Sequence, residues 1–398
     1  MRLSVLVLSY LFPNRAQPAY GIFVLNRLKA VHKHCSIKVI APVQWYPLIR
    51  RVRGALWGSA IPRRDEIDGL EVHHPRFVVI PRFFKWIDGI SYWWSARGVL
   101  KKMRKASGYD YDLIDVHWTY PDIVAGYLLA RKSGKKFIVT VRGHEALYED
   151  ERSIRRWLVM HFMRRADFVI TLSAELRTKV MQLGVPRERT RVVLNGVDLS
   201  RFRPMDRAAC RKQLGLPAGR RILLSVGRVT AGKGHQDLVR MMPELSRTDD
   251  VELYIIGGVN PEHDFTDVLR TMIADLRLKN VHLLDGVPHD TLPLWYSAAD
   301  VFCLASKREG CPNVLLEALA CGTPVVTMDV GAAGEAVVDG ENGFLVKPGQ
   351  ISSLAGMVRS SLARNWDREK VAAGMRRRGW SACAEQVVEI YRSVLAMR

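Results

Sequence analysis

At 398 residues and 48% hydrophobic, the chain is too long for one ordinary core and too apolar to be disordered, so two domains are expected. Its net charge of +20 is uneven: residues 1–200 hold 34 Lys+Arg against 17 Asp+Glu and the remainder 26 against 23, or +17 and +3. A basic half suits nucleic acid, an anionic membrane surface or an acidic substrate alike, whereas no stretch approaches the roughly 18 uninterrupted apolar residues of a spanning helix.

The opening MRLSVLVLSYLFPNR is broken at Pro13 and Asn14, too soon for a signal-peptide core, and reads as a first buried strand. Further short β-branched runs follow in SIKVIAP, DLIDVHW, KFIVTVRG, DFVITLS and RVVLNG. A second series comprises RILLSVGR, VELYIIGG, VHLLDG, DVFCLAS, TPVVTMD and NGFLVKP. Helix-like segments separate them, which predicts parallel sheets covered on both faces. The fold class is therefore α/β, with two doubly wound Rossmann-like domains. The turn signal Asn195-Gly196-Val197-Asp198 and the polar SRFRPMDRAA mark the seam. The expected domains are 1–200, 201–379 and a terminal helical segment, 380–398, packing back on the first.

Cysteines 35, 210, 303, 311, 321 and 383 are scattered, with no CxxC pair, and no histidine cluster has zinc spacing. A reduced, cytoplasmic, metal-free protein is the simplest expectation. Asp110 and Asp112 form a D-x-D but precede a predicted strand and read as loop residues. His32 and His34, and His73 with His74, lack metal spacing and read as surface residues.

The stretch KREGCPNVLLEALACGTPVV holds Glu309 and Glu317 in an otherwise apolar run. Pro312 suits the first turn of a helix, which would aim the N–H groups of Asn313, Val314 and Leu315 at an anion. Glu317 lies one turn inward and Glu309 in the loop before, so the two carboxylates flank a phosphate-binding end. A nucleotide sugar fits: diphosphate at the helix, ribose on Glu317, sugar on Glu309. The alternative is a capping box, Ser306-x-x-Glu309, with Glu317 a solvated position lacking obvious polar neighbours. The glycine-rich SVGRVTAGKGHQDLV carries Gly227, Arg228 and Lys233 between strand and helix; its two cations could neutralise a diphosphate, or decorate an ordinary turn. It matches neither the Walker A loop nor GxGxxG.

These segments resemble the retaining glycosyltransferases of family four, which have the GT-B fold. EGCPNVLLEALACGTPVV looks like that family's E-x7-E motif, GRVTAGKG like its GR-x4-KG motif, and NGVDLSRFRP like its linker. FPNRAQPAYGIFV, DVHWTYPDIVAG and VTVRGHE are similar to acceptor domains of bacterial cell-surface polysaccharide enzymes. The resemblance implies two sheets facing a central cleft and hexosyl transfer to a glycan or lipid-linked acceptor, with retention and without metal or other cofactor. It implies Glu309 on the donor sugar, Glu317 on ribose, and Arg228 and Lys233 on the diphosphate with the amides near Asn313 and Val314. Gly21 would approach the phosphates, Val287 would contact the base, and His117 would face the reacting sugar. Arg142 stands where relatives often have histidine and Glu145 where they have aspartate; with His144 these form the acceptor side. By its own residues His117, at a strand's carboxyl end, reads as a site residue, with a core histidine bonded to a loop as the alternative.

Residues 76–105 mix aromatics and cations with a single acid, the composition of an interfacial helix on an anionic membrane, or of a crossover helix with a solvated basic face. A nucleic-acid-binding protein would use the same aromatics as stacking platforms, but carboxylates beside the anion site argue against it. A sugar-nucleotide epimerase or phosphorylase on the same fold is the nearer rival.

Overall fold

The structure, a computed structural model, describes residues 2–46, 60–80, 84–147, 153–247, 249–258 and 264–397, without the side chains of Lys85 and Glu145. The expected role of Glu145 and part of the 76–105 segment thus lie outside what is described. The chain divides into two compact units, Met1–Asn195 with Trp380–Arg398, and Gly196–Gly379.

The first unit is built on an eight-stranded sheet in the order β10-β9-β8-β7-β1-β2-β5-β4. Its central strands β1 (Ser4–Leu8), β2 (Ser36–Ile40), β7 (Leu113–Val116), β8 (Lys136–Val141), β9 (Phe168–Thr171) and β10 (Thr190–Val192) are the six expected runs, paired in parallel. Burial on both faces explains why they read as continuous apolar runs. Four strands were not expected: β3 (Val43–Trp45), β4 (Arg64–Ile67), β5 (Leu70–His73) and β6 (Arg76–Val78). β4 and β5 form the one antiparallel pair of this sheet among the described residues, turned at Asp68-Gly69 with φ of 50° and 81°. Both central residues of that turn have the positive φ of a type I′ hairpin, and charged β4 guards the edge.

The helices Ile22–His32 and Trp380–Ala396 pack on each other, and their buried residues share one core with β1 and β2. The terminal helix contributes seven buried residues to that cluster, from Cys383 to Val394. Helix Asp88–Ser107 packs on helix Asp122–Ser133. In the second unit β13 (Val281–Leu284), β12 (Val251–Ile256), β11 (Arg221–Val226), β14 (Val301–Leu304), β15 (Val325–Met328) and β16 (Gly343–Val346) form a wholly parallel sheet in that order. Hydrophobic clusters cover both faces. The strand order reverses between β1 and β7 in one unit and between β11 and β14 in the other, which is where open α/β sheets bind ligands.

Next to the first switch point, Asp122 opens its helix fully buried, its Oδ1 accepting the Tyr10 N–H at 2.7 Å. Burial pushes this carboxyl up to about 8, against the hydrogen bonds that favour its charge. An unfolded aspartate titrates near 3.9, so folding is most favoured where both states are protonated and loses stability as pH rises toward the folded value. Asp122→Asn keeps an acceptor for Tyr10 without the charge. Thermal melts from pH 5 to 9 should show the wild type falling relative to this variant by several degrees.

Candidate active site

The two loops that carry the sequence motifs of the second unit leave β11 and β14, the strands that bracket its switch point. From β11 the chain runs through Gly227 and the turn Ala231–Lys233 to Gly234, then into helix His235–Leu245. Gly234 has φ 72°, and a Cβ there would lie 1.9 Å from the carbonyl oxygen of Ala305. Glycine is required both for the left-handed backbone and for this contact. The Lys307 N–H donates to the carbonyl of Gly232 at 2.9 Å, tying the loops together a second time. From the other side the Ala332 N–H donates to the Gly310 carbonyl at 3.0 Å.

Between these ties Lys233 Nζ meets Glu309 Oε1 at 2.5 Å, with both side chains largely buried. The ammonium expected on a diphosphate and the carboxylate expected on a sugar are each other's partners. Arg228 is exposed on the same loop. The capping box is not formed: Ser306 Oγ is fully buried and has no hydrogen-bond partner among the described residues.

The helix spans Asn313–Ala320. Pro312 is not in its first turn, as expected, but immediately before it, since a ψ of 104° leaves it extended. The Leu315 N–H is not offered outward either; it donates to the Pro312 carbonyl at 3.1 Å. Half-buried Asn313 and Val314 form the first turn. Glu317 has the polar neighbours that its flanking residues did not suggest: the Tyr296 hydroxyl donates to Oε2 at 3.0 Å, and His289 Nε2 lies 3.7 Å from Oε1. Burial, then the charge of Glu317, raises the Tyr296 hydroxyl far above its usual value, so it remains a donor at any working pH. Neither residue is near Glu317 in sequence, and no local pattern signals them. Val287 is half-buried against the same core cluster.

In the first unit His117 follows β7 and is fully buried. The Arg142 guanidinium donates to its Nδ1 at 2.6 Å, which leaves the proton on Nε2, 2.8 Å from Asp115 Oδ2. Burial pushes His117 down to about 4, against the pull of Asp115, so the ring is neutral. The Tyr391 hydroxyl also donates to Asp115 Oδ2, at 2.5 Å. Arg142 and Arg27 both reach Asn195 Oδ1, at 3.4 and 3.3 Å. Sequence reasoning passed over Arg27, Asp115 and Tyr391 and read Asn195 only as a turn residue; the four come from separate stretches. His144 is buried, 3.3 Å from Glu175.

Gly21 has φ 71° and is buried, and a Cβ would lie 2.5 Å from the Leu11 carbonyl oxygen; its own fold requires glycine there. His74, expected at the surface, is buried with Nδ1 on the Ala41 carbonyl at 2.9 Å. Asp110 pairs with Lys135 and Arg104, and Asp112 accepts the Ser4 N–H.

Two doubly wound α/β domains, the second with its motif loops at the switch point, make the GT-B architecture. The chain carries two glycosyltransferase domains: residues 52–201 match the family Glycosyltransferase Family 4 and residues 206–378 match Glycosyl transferases group 1. D-inositol 3-phosphate glycosyltransferase of Nocardia farcinica is 35% identical over 246 residues, 58% of this chain and 53% of the relative. The match thus spans about half the length of that curated relative. A GDP-mannose-dependent alpha-(1-6)-phosphatidylinositol monomannoside mannosyltransferase of Mycolicibacterium smegmatis is 29% identical over 295 residues, 71% of this chain and 75% of the relative. Among solved structures, Anabaena HepE in complex with UDP and glucose superposes with a TM-score of 0.74 at 21% identity, covering 98% of this chain and all of that one.

Gly234→Ala tests the junction. A non-glycine residue held in the left-handed region costs about 1–3 kcal/mol before any clash. The variant should melt well below the wild type and lose nucleotide-induced stabilisation; unchanged melting would show that the two loops do not depend on this contact.

Proposed function

We propose that the protein transfers a sugar, with retention, from a nucleotide diphosphate sugar to a glycan or lipid-linked acceptor in cell-surface polysaccharide synthesis. The observation that carries this is the joined pair of loops after β11 and β14, which brings Lys233 to Glu309, with exposed Arg228 on the first loop and the Glu317 helix following the second. Two similar proteins support it: one is named for its dependence on GDP-mannose, and one of like fold was solved with UDP and glucose.

Transfer passes through an oxocarbenium-like sugar and a departing diphosphate, so fixed positive charge near the leaving group stabilises the transition state most. Arg228 and Lys233 supply that charge, helped by the amides around Asn313 and Val314. A diphosphate competes with Glu309 for the Lys233 ammonium, and the displaced carboxylate then accepts from sugar hydroxyls. Glu317, braced by Tyr296, accepts from ribose, and Val287 lies in the loop assigned to the base. In front-face attack the leaving phosphate takes the acceptor's proton, so Glu309 orients the sugar and is not a covalent nucleophile. The first unit takes the acceptor, with His117, Arg142 and His144 near the carboxyl ends of its strands. Residues 76–105 give the protein a peripheral contact with an anionic membrane on its cytoplasmic side, where a lipid-linked acceptor resides.

Arg228→Ala, Lys233→Ala and Glu309→Ala should each lower transfer at least 100-fold while melting within a few degrees of wild type, of the order seen when one stabilising donor is removed. Near-wild-type turnover in all three removes the site assignment. Because resident cations hold the leaving group, EDTA should leave the rate unchanged. Nucleotide release without acceptor as fast as with it would favour an epimerase or phosphorylase.

Thermal-shift screening against UDP-, GDP- and ADP-sugars identifies the donor, since a ligand present at 100 times its Kd adds about 2.7 kcal/mol to stability.

A further inference from the structure

The helix Asp88–Ser107 has a buried face, Tyr92, Ala96, Leu100 and Met103, and an opposite face open to solvent. Along that open face Ile90 and Trp94 follow one turn apart, and Trp94 is 67% exposed. Beside it runs a groove of about 740 Å³, bounded on one side by this helix and on the other by residues of β2, β4, β5 and β6.

The groove walls carry five cations, Lys38, Arg63, Arg64, Arg76 and Lys102, against one carboxylate, Glu71. Glu71 is already shared among Lys38 at 2.9 Å, His73 at 2.8 Å and Arg64 at 3.4 Å. Among the described residues Arg63 and Lys102 have no carboxylate partner. Burial, and then the like charge of Arg63, hold the Arg76 guanidinium below its usual value, although it donates to the carbonyls of His74, at 2.8 Å, and Ile61. An anion is what such a site lacks.

The helix side of the groove mixes Trp94, Val99 and Met103 with Ser95 and Lys102, and it is low at Gly98. Gly98 lies one turn after Trp94 and one turn before Lys102, in a helix interior where glycine costs about 1 kcal/mol relative to alanine. A Cβ at Gly98 would meet nothing within 4 Å. No packing within the protein requires glycine there, and the space it leaves open is the groove.

We propose that this groove holds the phosphate head of an anionic phospholipid, with Arg63, Arg76 and Lys102 on the phosphate and the acyl chains leaving over Trp94 and Ile90. An anionic head beside an apolar tail matches cationic walls that end on exposed aromatic and aliphatic side chains. The inference rests on the membrane contact assigned to residues 76–105 and gives it a discrete, saturable site.

Titration calorimetry of the full chain with dihexanoylphosphatidylglycerol below its micelle concentration should show one site per chain. Gly98→Trp, which fills the groove without altering charge, should abolish binding, and Arg63→Ser with Lys102→Ser should weaken it at least tenfold. Melting temperatures and nucleotide-sugar shifts of these variants should match the wild type. Inorganic phosphate should bind at least tenfold more weakly than the lipid; equal affinity would overturn the lipid assignment. Flotation on phosphatidylglycerol vesicles separates the remaining outcomes. Wild type and Gly98→Trp floating alike, without short-chain lipid binding, overturns the groove and leaves membrane contact standing. Absence of flotation for the wild type overturns both, and neither result bears on the donor site.

Discussion

The candidate site depends on a contact with almost no side chain in it: the approach of Gly234 to the carbonyl of Ala305. Parallel strands deliver their loops to one edge of a sheet, but strand order alone does not fix how two loops meet. Here a left-handed glycine, the Lys307 to Gly232 hydrogen bond and the Ala332 to Gly310 hydrogen bond fix it. Lys233 and Glu309 then face each other from rigid backbones. Ordering these groups before a ligand arrives lowers the entropic cost of gripping it.

Charge is handled differently in the two units. In the second, a cation and a carboxylate meet at the strand ends, and Arg228 is exposed on the loop that carries the cation. In the first, Arg27, Arg142, Asp115 and neutral His117 are withdrawn from solvent into one hydrogen-bonded network. Buried polar groups of this kind cost least when they bond one another. Asp122 is buried as well, its Oδ1 on the Tyr10 N–H, and burial disfavours its charge.

What the chain disclosed from its sequence follows the range of each signal. All twelve apolar runs became strands, because a parallel strand buried on both faces needs an unbroken apolar stretch and leaves little room for another reading. The hairpin of β4 and β5 escaped because RDEI is charged and edge strands need no apolar face, although Asp68-Gly69 was a legible turn. Glu309 and Glu317 stood out as carboxylates in apolar surroundings, but their partners did not: Lys233 is 76 residues from one and Tyr296 is 21 residues from the other. Pro312 was misplaced by one residue because its φ suits a helix and its ψ, which sequence does not reveal, is extended. Long-range pairing also hid the burial of His74 and the spanning of Asp115 by Tyr391.

The helix Trp380–Ala396 carries a consequence for biogenesis. It lies in one hydrophobic cluster with strands from the opening forty residues, and its tyrosine donates to Asp115 Oδ2. A ribosome therefore releases the last segment of that core only after the whole of the other unit has been made. Until then the amino-terminal sheet stands with an uncovered apolar face, and the middle of the chain can mature first although it is translated second.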